Sequence, residues 1–210
     1  MFKLFKKTEK TKFELLFLKI DSNLSKGNFN KALADYALLS DEYANSSLED
    51  KEKFDDLYFI MREQLTLYMK IKELLLLIKG EDLDLIRIGL DTIFEVRPKL
   101  NGNNKLMNFI DKYYVYCQKI YRYKLAKKQF NNQLSEVYHL LREESFESAL
   151  EEHRDLIFYF NEMDKYSSKS TESTYKKIIE LKDHIKIRLL ESRAYSTEAK
   201  YTKVKKKKKR

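Results

Sequence analysis

Apolar residues along this chain recur every three or four positions between charged ones, the spacing that collects them on one face of an α-helix. Phe13, Leu16, Phe17, Ile20 and Leu24 form the first such stripe, predicting a helix over 13–26. Longer amphipathic stretches run from about Leu48 to Lys79 and from about Asn103 to Arg142, and a last one from about Thr174 to Arg193. Ser47, three residues before Asp50, resembles a capping box, and Asn103 or Asn104 opens a helix after a glycine turn. Gly27 and Gly80 stand where helices should end. The acids at 49–56 suit the positive end of a helix dipole.

Three further stretches share one pattern. Ala32-Leu33, Gly89-Leu90 and Ala149-Leu150 each pair a small residue with leucine. Three positions before each small residue stand Phe29, Ile86 and Phe146; seven after it stand Leu39, Val96 and Leu156; eleven after it stand Tyr43, Leu100 and Phe160. These offsets trace one helical face, with the small residue where two helices come closest. Each stretch follows one of the helices above, so the chain predicts three helical hairpins and a final helix that caps them. With four glycines and one proline it lacks the turn chemistry of an all-β fold. The expectation is an all-α protein of about seven helices. Its parts are a basic and aromatic N-terminal segment (1–11), a helical-repeat domain (12–193) and a disordered basic tail (194–210). A polar connection, "DKYSSKSTEST" at 164–174, separates the last two helices.

Gly27, Phe29, Ala32, Leu33 and Tyr36 resemble the half-motif that opens the second helix of a tetratricopeptide repeat (TPR). Phe146, Ala149 and Leu150 repeat part of it, and Gly89-Leu90 a smaller part. The resemblance implies a stacked array of TPR-like hairpins whose concave face holds a peptide or another protein. It implies no catalytic residues.

Charge is distributed unevenly. The chain carries +9, but residues 193–210 alone hold nine Lys/Arg against Glu198, which leaves the remainder close to neutral. The basic character therefore belongs to the tail: Lys203, Lys205, Lys206, Lys207, Lys208, Lys209 and Arg210. Such a cluster gives salt-sensitive, sequence-blind affinity for phosphates, the expected partner being RNA or a ribonucleoprotein. It also suits an anionic leaflet. There Phe2, Leu4 and Phe5 among the first lysines offer a second anchor, which makes a peripheral membrane adaptor the alternative. A nuclear-import signal and a merely solubilising tail are the other readings.

A smaller basic feature lies inside the near-neutral part. Residues 105–128 hold seven Lys/Arg and only Asp111 as an acid, and Lys105, Lys112 and Lys119 recur every seven residues. Tyr116 and Tyr123 fall on the same stripe, so the group could neutralise phosphates and stack on bases. The plainer reading, a solvated lysine face with tyrosines covering the core edge, is preferred.

Catalytic and metal chemistry finds little support. Glu136 and His139 form one Glu-x-x-His unit where a di-iron site needs two, and Glu180 and His184 are four apart. Cys117 is the only cysteine, among Tyr113, Tyr114, Ile120 and Tyr121, and reads as a buried inert thiol suited to a reducing compartment. His153 occupies the place of Tyr36 in the repeat and reads as packing, as do Leu33, Leu90 and Leu150. Neither a phosphate-binding glycine loop nor a hydrolase or zinc-protease motif occurs. No cofactor and no metal are expected, and an enzyme is the remotest reading. The first residues lack the apolar core of a secretory signal, and the longest apolar run, 74–78, falls far short of the roughly 18 residues a spanning helix needs. The expected setting is cytoplasmic, with attachment to the inner face of a membrane if the adaptor reading holds. The expected activity is that of a non-enzymatic scaffold or adaptor binding a protein or peptide on its helices.

Overall fold

The computed structural model describes residues 11–99, 104–167 and 169–207, with side chains as far as Glu198 in the last stretch. Among them are seven α-helices, one 3-10 turn and no strand. The helices are α1 (Lys12–Lys26), α2 (Phe29–Asn45), α3 (Leu48–Leu77), α4 (Leu83–Val96), α5 (Asn104–Arg142), α6 (Phe146–Tyr166) and α7 (Glu172–Lys207). They pack in pairs, the closest being α1 with α2, α3 with α4 and α6 with α7. The chain divides into two compact units, Met1–Gln118 and Lys119–Arg210, so α5 supplies a segment to each.

In the first unit α3 is buried along its length through Phe54, Tyr58, Met61, Leu65, Tyr68, Ile71 and Leu74. Aromatic rings join it to the helices around it. Phe13 lies 5.0 Å from Phe54, the Tyr43 and Tyr58 rings stack at 4.0 Å, and Phe109 of α5 sits 5.6 Å from Tyr68. Gly89 of α4 lies half-buried beside α3, where an added Cβ would come 3.0 Å from Cδ1 of Leu74. The small residue of the second hairpin is thus a close-approach site, and Ala32 and Ala149 are fully buried at the equivalent positions. The arginine at 97 donates to both carboxylate oxygens of Asp111, at 2.7 and 2.8 Å.

The second unit is built on α6. Leu156, Phe160 and Met163 meet Ala126 and Phe130 of α5 and Ile178 of α7, and Ala149 packs with Val137 and Ile185. Buried positions along α5 run 106, 110 and 117 in the first unit, then 126, 130 and 137 in the second. The nine-residue step from 117 to 126 is two and a half turns, so no single stripe runs the length of the helix.

Two of the turns are the same device. Gly27 ends α1 with φ +83°; its N–H donates to the Leu24 carbonyl, and that of Asn28 to Asn23. Glu144 follows α5 with φ +58°; its N–H donates to Leu141, and that of Ser145 to Leu140. Both are Schellman closures, and both lead directly into Phe29 or Phe146. Glycine enters the left-handed region freely, whereas glutamate is strained there.

Most expected boundaries hold. Ser47 caps α3, its Oγ accepting from the Asp50 N–H at 3.2 Å. Thr11 and Glu14 form a full capping box on α1 that sequence reading missed. Asn103 and Leu100 lie outside the described residues. The polar connection is shorter than expected, because α6 continues to Tyr166 and α7 starts at Glu172. The last helix, expected to end near Arg193, is helical to Lys207. No glycine or proline follows Gly102 to stop it, and basic residues suit a helix C-terminus.

The shared turn makes a direct prediction. Glu144→Gly should raise the free energy of unfolding by about 1 kcal/mol, and Gly27→Ala should lower it by about the same. The measurement is a shift in urea midpoint at unchanged slope. No gain from Glu144→Gly would contradict the strain.

Candidate functional site

The polyanion-binding residues expected in the tail, Lys203 to Arg210, lie on the last turns of α7 and beyond, where side chains fall outside the described residues. What precedes them is described. Ile178 and Ile185 are buried, and Leu181 and Leu189 are half-buried. From Leu190 to Glu198 every residue is exposed. Helix α7 therefore leaves the core of its unit after Leu189 and carries its basic end onward in helical form.

The expected basic stripe on α5 is not uniform. Lys105, Lys112 and Tyr116 are exposed in the first unit, with Lys112 Nζ 5.9 Å from the Tyr113 ring centroid. Lys119 is exposed in the second unit, whereas Tyr123 is half-buried against the cluster of Phe130 and Phe160. The cause is the break in α5's register: the wheel position open to solvent in the first segment borders the core in the second.

Residues weighed for chemistry sit in ordinary surroundings. Cys117 is fully buried, and burial pushes its thiol up to about 11, away from the reactive thiolate. Glu136 and His139 are both exposed, and His139 Nε2 lies 3.5 Å from Glu143 Oε1 one turn on. No group of three or more metal-ligating side chains occurs among the described residues. Two open grooves lie in the second unit. One of about 500 Å³ is lined by Phe160, Asp164, Lys169, Thr171 and Tyr175, and the Thr171 hydroxyl donates to Asp164. The other, about 320 Å³, lies between the turn at Ser145 and α7, which lines it with Leu189, Ser192, Arg193 and Ser196. No described helix is long and apolar enough to cross a membrane.

His153 is the one buried histidine, 1% exposed on α6, with Nε2 2.7 Å from the Ile178 carbonyl. A carbonyl only accepts, so Nε2 carries the proton. Burial above all, with help from Lys182, holds the imidazole below its usual range, and the carbonyl bond opposes them in part. Its role is to tie α6 to α7.

Compared with known proteins, the chain matches no family model, no curated protein and no solved structure. The structure thus defines an all-helical protein of paired helices.

A histidine held neutral contributes stability that is complete above its unfolded value, about 6.5, and is lost as pH falls through the window below it. Unfolding free energy should therefore drop between pH 7 and pH 5. His153→Gln keeps a donor for the Ile178 carbonyl but cannot titrate, so its profile should be flatter. Parallel profiles for the two proteins would remove His153 from the account.

Proposed function

We propose that this chain is a non-enzymatic, TPR-like helical scaffold whose basic C-terminal tail docks on a polyanion, RNA or a ribonucleoprotein. The observation that carries this reading is the exposure of every residue from 190 to 198 on a continuing helix. Lysines that follow such an exposed stretch in the sequence can track a phosphate backbone without desolvating the unit that precedes them. The hairpin part of the reading is supported by the turns at Gly27 and Glu144, which share one hydrogen-bond pattern and both open on phenylalanine. Exposed apolar side chains, Leu85, Ile88 and Phe94 on α4 and Phe59, Met69 and Leu76 on α3, give a protein partner surface to bury.

Binding of a labelled single-stranded RNA, measured by fluorescence anisotropy at two salt concentrations, tests the tail. Each phosphate neutralised contributes roughly 0.7 to the salt slope on a single strand, so changing Lys205–Lys209 to glutamine should remove about 3.5 from it. Lys112→Glu, on the α5 stripe, should leave the slope unaltered. Binding that persists in the five-lysine variant would overturn the tail assignment. Tail-dependent binding to phosphatidylserine vesicles without RNA binding would replace the RNA partner with a membrane.

A further inference from the structure

Helix α7 carries a second stripe, on the side away from its own core. Ile187 and Leu190 are 56% and 65% exposed, and Ala194 and Thr197 are exposed as well. These four positions are separated by three, four and three residues, and the sequence continues the alternation at Tyr201 and Val204. This is the a/d spacing of a two-stranded coiled coil. The buried side of the helix, at Ile178 and Ile185, lies roughly half a turn away, at a different set of positions. Packing within the unit therefore leaves the stripe uncovered.

We propose that α7 pairs with α7 of a second copy of this chain in a parallel, two-stranded coiled coil. The flanking charges select that occupant and that direction. With Ile187 as an a position, Lys186, Arg193 and Lys200 fall at g, and Glu191, Glu198 and Lys205 at e. In a parallel pair each g residue faces the e residue of the next heptad on the other helix, which sets Lys186 against Glu191 and Arg193 against Glu198. Only the last pair, Lys200 with Lys205, is repulsive. An antiparallel pair would set g against g, where Lys186, Arg193 and Lys200 meet only cations, and e against e, where Glu191 and Glu198 meet glutamate unless one reaches Lys205.

Two existing ion pairs do not block the arrangement. Arg193 reaches Glu147 Oε1 at 2.6 Å and Arg188 lies 3.5 Å from Glu191, but all four side chains are more than half exposed. Such pairs exchange partners at little cost. Alanine and threonine in the seam make the association weak and reversible. Salt screens the attractive pairs and the repulsive lysines at the C-terminal end alike. This inference goes beyond the polyanion reading and does not depend on it.

Sedimentation of the full chain should show the mass rising from 25.3 kDa toward two chains. That rise should fall between about 1 and 100 μM. Leu190→Lys, on an exposed site that leaves helicity unchanged, should weaken association at least about ten-fold, the cost of one lost buried leucine with a charge in its place. Direction is read by cross-linking. In a parallel pair Ile187→Cys and Thr197→Cys, tested separately, each face their own copy and should both form an intermolecular disulfide on oxidation; an antiparallel pair allows at most one. A monomer throughout that range, a dimer indifferent to Leu190→Lys, or cross-linking at only one of the two positions would overturn the proposal.

Discussion

A close approach between paired helices at a small side chain is the constraint on which the rest of this structure depends. Gly89 marks it directly, since even one added carbon there would press on Leu74, and Ala32 and Ala149 are fully buried at the equivalent positions. Once that approach is fixed, the larger residues at set distances along the same helix, Leu39 and Leu156 among them, have a defined surface to fill. The two left-handed turns bring the chain back fast enough to start the second helix in register. Polar groups follow the same geometry. Asp35, three residues after Ala32, accepts from Asn23 and Lys19 on α1, and Glu152, three after Ala149, accepts from Gln133 on α5. Among the described residues no buried side-chain nitrogen or oxygen is left without a hydrogen bond.

The two long helices depart from simple hairpins in different ways. Helix α5 changes its buried positions part-way and so serves two cores in succession. Helix α7 spends its first half in one core and then carries only exposed side chains as far as Glu198. An exposed helix of that kind is stable only with help, because an isolated helix is marginal in water. A second α7 supplies such help through the seam at Ile187 and Leu190. On the proposed reading a polyanion would supply it by neutralising the lysines, and two tails held side by side would grip one strand more firmly than either alone.

Much of this was legible in the sequence, for reasons that differ by element. The pairs α1–α2 and α3–α4 showed because a small residue, a leucine and an aromatic at fixed offsets leave few alternatives to a packed helical face, whereas α6 packs most closely with α7. Ser47 and Gly27 showed because caps use a short list of residue types. The end of α7 did not show: Ala194 and Thr197 are weakly apolar, so the periodicity fades although nothing breaks the helix. Heptad counting from Ile187 is the signal that finds the seam. The turn at Glu144 was hidden because glutamate is rarely left-handed. On α5, Tyr116 and Tyr123 share a wheel position but not an environment, and only the core contacts of each unit reveal the difference. The tail's charge was plain, whereas its partner is a property of another molecule.

The central claim is that α7 is anchored as far as Leu189 and works beyond it. Amide hydrogen exchange along α7 tests that most directly, read in dilute protein, in concentrated protein and with RNA added. Amides around Ile178–Leu189 should be slow in every condition, while those of 190–198 should be fast in dilute protein and slow on concentration or with RNA. Protection of 190–198 that is already complete at high dilution, or that responds to neither addition, would contradict the account.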